Sequence, residues 1–82
     1  MARVAIDVML KDEILDPQGQ AIERALPSLG FAGVGAVRVG KHIELEVDDG
    51  EDLEARIEDM ATRLLSNPVI ERFTYRVERA IA

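Results

Sequence analysis

The chain has 82 residues, no cysteine and a formal net charge of −6. A chain this short forms one domain with a thin core that no disulfide or cysteine-bound zinc reinforces, so we expect one domain over residues 1–82 that self-associates. The acidic balance opposes binding to nucleic acid and to anionic membranes. No signal-peptide pattern or long apolar run is visible, so we expect a cytoplasmic protein without a membrane partner.

The first half of the chain reads as a strand followed by a helix. Apolar residues alternate from Val4 to Leu10, which is typical of a strand with one buried face. Asp16-Pro17 favours a helix start, and Gly30 favours its end near Leu29. Pro27 is expected to kink or loosen the last turn. The predicted inward stripe consists of Ala21, Ile22, Ala25, Leu26 and Leu29.

Two further strands are predicted at Val34 to Val39 and Ile43 to Val47. If they form a hairpin, a two-residue turn would set apolar residues opposite polar ones on the same face. We therefore expect a longer loop or a bulge at Gly40 to His42, at an exposed hairpin tip.

The second helix is preceded by an acidic segment. Seven acidic residues and one basic residue lie between Asp48 and Asp59, which gives this segment a net charge of −6. Asp49 is expected to cap the helix, with the carboxylates at the positive end of its dipole. Ser66-Asn67-Pro68 ends the helix, and a last strand runs from about Val69 to Glu78. The predicted buried stripe of the helix is Leu53, Ile57, Met60, Ala61 and Leu64.

The order of elements predicts an α+β fold of the ferredoxin-like βαββαβ type. In this fold two helices lie on one face of an antiparallel sheet. The second face is a mixture of apolar and polar side chains, so sheet packing or extension across a dimer interface is expected. Its predicted members are Ala5, Met9, Ala36, Arg38, His42, Glu44 and Glu46.

A search for chemistry finds no catalytic, cofactor-binding or metal site. One histidine and no cysteine exclude a Cys–His pair within one chain, and the glycine spacing fits no phosphate-binding loop. Lys41 and His42 together suit either an anion site or, more simply, an exposed tip. The Asp16-to-Gly19 turn suits phosphate binding or helix capping, and capping is favoured because Asp16 would occupy the free N–H groups itself.

Three segments together resemble the signature segments of the PurS family. They are Asp16-Pro17-Gln18-Gly19, Val37-Arg38-Val39-Gly40-Lys41-His42-Ile43-Glu44-Leu45 and Leu65-Ser66-Asn67-Pro68-Val69-Ile70-Glu71. They stand in the family's order and spacing, and the resemblance covers nearly the whole chain. Departures are Pro27 within the first helix and a tail beyond Glu78, which is expected to fray or to dock on a neighbour.

The resemblance implies the function. PurS proteins are non-catalytic subunits of phosphoribosylformylglycinamidine synthase in purine synthesis, and they form dimers or tetramers that link a glutaminase subunit to a synthetase subunit and assist ammonia transfer. The complex uses ATP, magnesium and glutamine, and no cofactor is expected on this chain. Exposed polar positions in the signature segments are the candidate partner contacts: Asp16, Pro17, Gln18, Gly19, Arg38, Gly40, Lys41 and His42.

Three other classes of protein have the same or a related strand-helix order. An amino-acid-binding ACT-like regulatory domain would show ligand-dependent stabilisation. An acylphosphatase-like enzyme needs an arginine and an asparagine that converge on a phosphate, and the sole asparagine, Asn67, precedes a proline at a helix end. An RNA-binding module is opposed by the net charge and by the lack of an aromatic platform.

Overall fold

The structure, a computed structural model, describes residues 1–79, with only the backbone at Arg79. The predicted alternatives for the tail fall mainly on residues 80–82, outside the described residues. In chain order the strands are β1, Ala2–Leu10; β2, Gly40–Val47; and β3, Glu71–Arg79. The helices are α1, Pro17–Ala25, and α2, Leu53–Met60, and each continues into a turn of different pitch, Leu26–Leu29 after α1 and Ala61–Leu65 after α2.

The three strands form one antiparallel sheet in the order β2-β1-β3. The central strand pairs Val4 with Leu45 on one side and with Val77 on the other. Alternate residues of β1 point to one face, where Leu53 and Ile57 of α2 cover them. The fully buried side chains at this contact are Val4, Ile6, Val8, Leu53 and Ile57. The core therefore lies between the sheet and α2.

The predicted α+β class, with two helices and an antiparallel sheet, is confirmed, but the sheet has three strands rather than four. The predicted strand at Val34 to Val39 is wrong. Pairing with β1 stops at Gly40, opposite Met9, so the preceding segment runs past the end of its neighbour. Gly33 and Ala36 also have positive φ angles of 82° and 56°, which interrupt a strand.

The predicted hairpin tip at Gly40 to His42 is wrong for the same reason. All three residues lie within β2 and pair with β1. Ala36 and Arg38, predicted on the second sheet face, precede β2 and do not belong to the sheet.

The effect predicted for Pro27 is confirmed. The α-helical hydrogen-bond pattern ends at Ala25, and a 3-10 turn carries the chain to Leu29. Gly30 adopts the left-handed conformation with φ 94°, as expected of a helix-ending glycine. The predicted inward stripe, however, does not reach the core, and Leu29 is 69% exposed.

In α2 the phase of the helix changes near its end. Asp52, rather than the predicted Asp49, is the N-cap residue. A π turn at Ala61–Leu65 inserts an extra residue per turn. Leu64, predicted to be buried, is therefore rotated outward and is 82% exposed, while Leu65 packs against the core.

The predicted end of the second helix and the last strand are confirmed, although the strand begins at Glu71, two residues after its predicted start. The helix stops before Ser66, and Phe73, Tyr75 and Val77 of β3 line the core face. Ion pairs four residues apart form between Asp52 and Arg56 and between Asp59 and Arg63. In the part of the chain that the structure describes, no helix is long and apolar enough to cross a bilayer.

Candidate functional site

Asp16 joins the start of α1 to the segment that leads into β2. It is the N-cap residue of α1 and is only 9% exposed. Its Oδ1 accepts a hydrogen bond from the N–H of Gly19 at 2.9 Å, and its Oδ2 accepts one from the N–H of Val39 at 2.8 Å. The predicted cap is confirmed, and the same carboxylate also holds a residue 23 positions away.

These bonds set the charge state of Asp16. The N–H of Gly19 is the main cause that lowers the pKa of this carboxyl, followed by the N–H of Val39, because both stabilise the ionised form. An ionised cap that accepts two hydrogen bonds fixes the start of α1 relative to the sheet. Both carboxylate oxygens of Asp16 thus accept hydrogen bonds from the same chain.

Gly19 lets the two signature segments touch. A Cβ at this position would lie 2.1 Å from the carbonyl oxygen of Val37, far inside van der Waals contact. One turn later, the Glu23 carboxylate accepts the N–H of Val37 at 2.7 Å. We call this arrangement of Asp16, Gly19, Glu23, Val37 and Val39 the α1 clasp.

Arg38 extends the clasp to the loop after β1. Its Nη2 donates to the carbonyl oxygens of Leu10, at 2.5 Å, and Lys11, at 3.2 Å. Its Nη1 contacts the Asp12 carboxylate at 3.1 Å, and Arg72 of β3 contacts the same oxygen at 3.2 Å. The guanidinium thereby orders the β1–α1 loop at the end of the sheet.

Gly40, Lys41 and His42 act within the sheet. A Cβ at Gly40 would come 2.5 Å from the carbonyl oxygen of Val8, so this position needs glycine for close strand approach. The Lys41 Nζ donates to the carbonyl oxygen of Leu65, at the end of the π turn, at 2.8 Å. This bond ties β2 to the end of the second helix.

His42 lies on the sheet face away from α2. Its Nδ1 is 2.6 Å from the Asp7 carboxylate and its Nε2 is 3.2 Å from that of Glu44. The hydrogen bond with Asp7 is the main cause that raises the pKa of His42, with Glu44 second. Both carboxylates favour the protonated imidazole, and the contact with Asp7 links β2 to β1.

The structure brings Asp16, Gly19 and Arg38 together around the α1 clasp and leaves Pro17 and Gln18 exposed beside it. Lys41 and His42 lie apart from each other on opposite sheet faces. Sequence reasoning missed Glu23 and the second bond of Asp16, because neither leaves a local signal. An open hollow of about 440 Å³ lies next to the clasp and is lined in part by Leu15, Gln20 and Glu23.

Among residues 1–79 no cluster of His, Asp and Glu side chains is arranged to hold a metal ion. Asp16, Arg38 and Lys41 each bind backbone groups of the chain itself, which is a positioning role. These features define a small α+β protein whose signature residues order its own loops.

Comparison with known proteins agrees with that class. Residues 3–79 match the PurS family model, described as phosphoribosylformylglycinamidine (FGAM) synthase. The PurS subunit from Mycobacterium leprae is 53% identical over 74 residues, which cover 90% of this chain and 92% of the relative. The chain belongs to the PurS family of phosphoribosylformylglycinamidine synthase subunits.

Solved structures show the same fold. The PurS structure from Bacillus subtilis superposes with a TM-score of 0.91 and 41% identity, and covers 96% of this chain and 100% of its own. A chain in the structure of PurLQS from Thermotoga maritima has a TM-score of 0.75 and 30% identity, with coverage of 94% and 96%. The three-stranded sheet with two helices is thus the fold of PurS proteins.

Proposed function

We propose that this chain is a non-catalytic bridging subunit. It joins a glutaminase subunit to an ATP-dependent synthetase subunit and assists transfer of ammonia between them. The observation that carries the proposal is the match over residues 3–79 to PurS, together with a neighbour solved within a PurLQS structure. The site supports a non-catalytic role because Asp16 and Arg38 form hydrogen bonds with the chain's own backbone.

The proposal assigns the reactants to the larger subunits. ATP, magnesium and glutamine are bound there, and this chain carries no cofactor of its own. The complex works in the cytoplasm, where the chain self-associates as a homodimer or tetramer. Support for self-association comes from the small core and from large apolar side chains that remain exposed, among them Leu29, Phe31 and Leu64.

Contact with the larger subunits is assigned to the exposed rim of the α1 clasp and to the start of β2. Pro17 and Gln18 are exposed in the first turn of α1, and the backbone under them is fixed by Asp16. Lys41 is exposed, although its Nζ donates a hydrogen bond to the carbonyl oxygen of Leu65. Rigid, polar, exposed positions of this kind suit recognition by a partner because little order is lost on binding.

Reconstitution with the purified glutaminase and synthetase subunits tests the bridging function. Omission of this chain is expected to reduce glutamine-dependent product formation at least tenfold, while the synthetase supplied with ammonium salt keeps its activity. Equal losses with both nitrogen sources would contradict a coupling role. Undiminished glutamine-dependent synthesis without the chain would contradict the whole proposal.

Single substitutions test the contact surface. Gln18→Ala and Lys41→Ala are expected to weaken assembly with the larger subunits, as measured by sedimentation of the mixture. Thr62→Ala, at an exposed position of the π turn, is the matched control. Lys41→Arg keeps a cationic donor for both the partner contact and the internal bond to Leu65, so it is expected to retain assembly. Assembly unchanged in both alanine variants would exclude this surface.

A further inference from the structure

The sheet face away from α2 carries exposed charged side chains around one alanine. Helix α2 packs on the face of β1 that carries Ile6, so Ala5 points to the opposite face. There Ala5 pairs with Glu44 of β2 on one side and with Arg76 of β3 on the other. A short side chain in the central strand thus stands between two long charged ones.

A small hollow lies over Ala5 as a result. It has a volume of about 140 Å³, and its charged lining consists of Arg3, Glu44, Arg76 and Glu78. Neighbouring strands lie about 4.8 Å apart, so the backbones of β2 and β3 stand about 10 Å apart on either side of Ala5. The methyl group of Ala5 leaves this width open. We call this site the Ala5 hollow.

Most of the charged groups around the Ala5 hollow are unpaired in the described part of the chain. Arg3, Arg76 and Glu78 take part in no hydrogen bond or ion pair among residues 1–79. Glu44 uses one carboxylate oxygen, Oε2, which lies 3.2 Å from Nε2 of His42. Its other oxygen and both guanidinium groups therefore remain open to a ligand.

The lining has two charges of each sign, which selects among ligands. A simple anion is attracted by the two guanidinium groups and repelled by the two carboxylates, and the reverse holds for a simple cation. A molecule that carries both charges meets a partner for each. Guanidinium binds a carboxylate through two parallel hydrogen bonds, and an ammonium group has three donors for carboxylate oxygens.

The size of the Ala5 hollow narrows the ligand further. Sites for drug-sized molecules measure about 300–1,000 Å³, and this hollow has less than half of the lower value. It therefore suits a group of few atoms, such as an ammonium and a carboxylate joined through one carbon atom. That group is the part that all free α-amino acids share.

The charged lining also favours a small ligand over a partner chain on this face. The centre of a protein interface is depleted of charged residues, whereas every wall of the Ala5 hollow is charged. Leu29 and Leu64, two of the exposed apolar side chains that support self-association, lie in the turns that follow α1 and α2. Association through such side chains uses elements other than the strands.

We propose that the Ala5 hollow binds a free α-amino acid. The α-carboxylate of the ligand contacts the guanidinium groups of Arg3 and Arg76, and its ammonium group contacts the carboxylates of Glu44 and Glu78. This inference goes beyond the bridging function and does not depend on it, because it assigns to the chain a small-molecule ligand of its own.

Titration with three small probes tests the ligand class. Glycine is expected to shift the amide NMR signals of Ala5, Glu44 and Arg76 along a saturable curve. Acetate and methylammonium each carry one of its two charges, and at equal ionic strength each is expected to bind at least tenfold more weakly. Equal affinity for either single-charge probe would overturn the amino-acid assignment. The absence of a saturable shift with glycine would overturn the site itself.

Substitutions test the assigned contacts. Arg76→Gln and Glu44→Gln are expected to raise the dissociation constant for glycine at least tenfold. Ala5→Leu fills the hollow while it keeps every charge, and it is expected to abolish the saturable shift. Arg24→Gln removes an exposed arginine of α1 outside the hollow and is expected to bind glycine within twofold of wild type.

The substituted side chains lie outside the core cluster, and thermal unfolding checks that each variant folds. Glycine binding that Ala5→Leu leaves unchanged would overturn the inference. Equal losses in Arg76→Gln and Arg24→Gln would do the same, because they would reduce the effect to net charge. If a variant does not fold, the comparison of the three probes on the wild-type chain still decides.

Discussion

The two helices of this chain follow similar sequence patterns and reach opposite outcomes. Helix α2 buries Leu53 and Ile57 completely between itself and the sheet, whereas Ile22 of α1 stays 43% exposed. The difference lies in the hydrogen bonds that tie α1 to the segment leading into β2. The carboxylates of Asp16 and Glu23 accept the N–H groups of Val39 and Val37, and this α1 clasp holds the helix beside the sheet instead of on it. An amphipathic pattern shows that one face of a helix is apolar. It does not show whether residues of the same chain or of another chain bury that face.

Core substitution provides the largest expected contrast between the helices. Ile57→Ala is expected to lower the free energy of unfolding by about 2–5 kcal/mol, because it leaves a cavity in the core. Ile22→Ala, measured by urea unfolding at a concentration where the protein is monomeric, is expected to cost less than about 1 kcal/mol. Equal losses would contradict the placement of α1 outside the core.

The α1 clasp should be sensitive to one methyl group. Gly19→Ala places a Cβ against the carbonyl oxygen of Val37, so the helix start and the segment before β2 must separate. A loss of about 1–3 kcal/mol in unfolding free energy is expected, as for other overpacked sites. Gly35→Ala, where no atom lies within 4 Å of the added group, is the control. Similar thermal unfolding of the two variants would refute the clasp.

Acid should loosen the clasp in a defined pH window. The pKa of Asp16 is lower in the folded chain than its ordinary value of 3.8, so the unfolded chain binds the proton more readily. The stability from Asp16 is therefore present above that ordinary value and is lost as pH falls through the folded pKa. Asp16→Asn is expected to melt at a lower temperature than wild type at pH 7, with the gap shrinking toward pH 2. A gap that does not change with pH would contradict the ionised cap.

The smallest expected effect concerns His42, which belongs to neither helix. Its pKa is raised in the folded chain from the ordinary value of 6.5, so the stabilisation is full below that value and is lost as pH rises through the folded pKa. Titration followed by NMR is expected to show a lower pKa for His42 in Asp7→Asn than in wild type. An unchanged titration curve would show that Asp7 is not the cause.

The sequence predicted those features whose cause is local. Asp16-Pro17 marks the start of α1, Pro27 and Gly30 mark its end, and alternation in β1 identifies the core face. The fourth strand was predicted wrongly because alternation in Val34 to Val39 carries no information on where β1 ends. Leu64 was predicted on the wrong side because a π turn shifts the helical phase without a residue that signals it.

At the candidate site, the sequence singled out Asp16, Gly19, Arg38 and Gly40, but of their roles it predicted only the helix cap formed by Asp16. Val39, the second partner of Asp16, and Leu10, a partner of Arg38, lie more than twenty residues away from them, and such contacts follow from the fold rather than from spacing. Lys41 and His42 are neighbours in sequence, yet the strand period of two sends them to opposite faces. Proximity along the chain suggested a shared role that the sheet does not allow.

Amide hydrogen exchange at two protein concentrations tests the contrast between the helices most directly. Amides of α2 are expected to be equally protected at low and high concentration, since their cover comes from their own chain. Protection of α1 is expected to rise with concentration as a second copy covers its exposed apolar side chains. Protection of α1 that equals that of α2 and does not change with concentration would contradict the account.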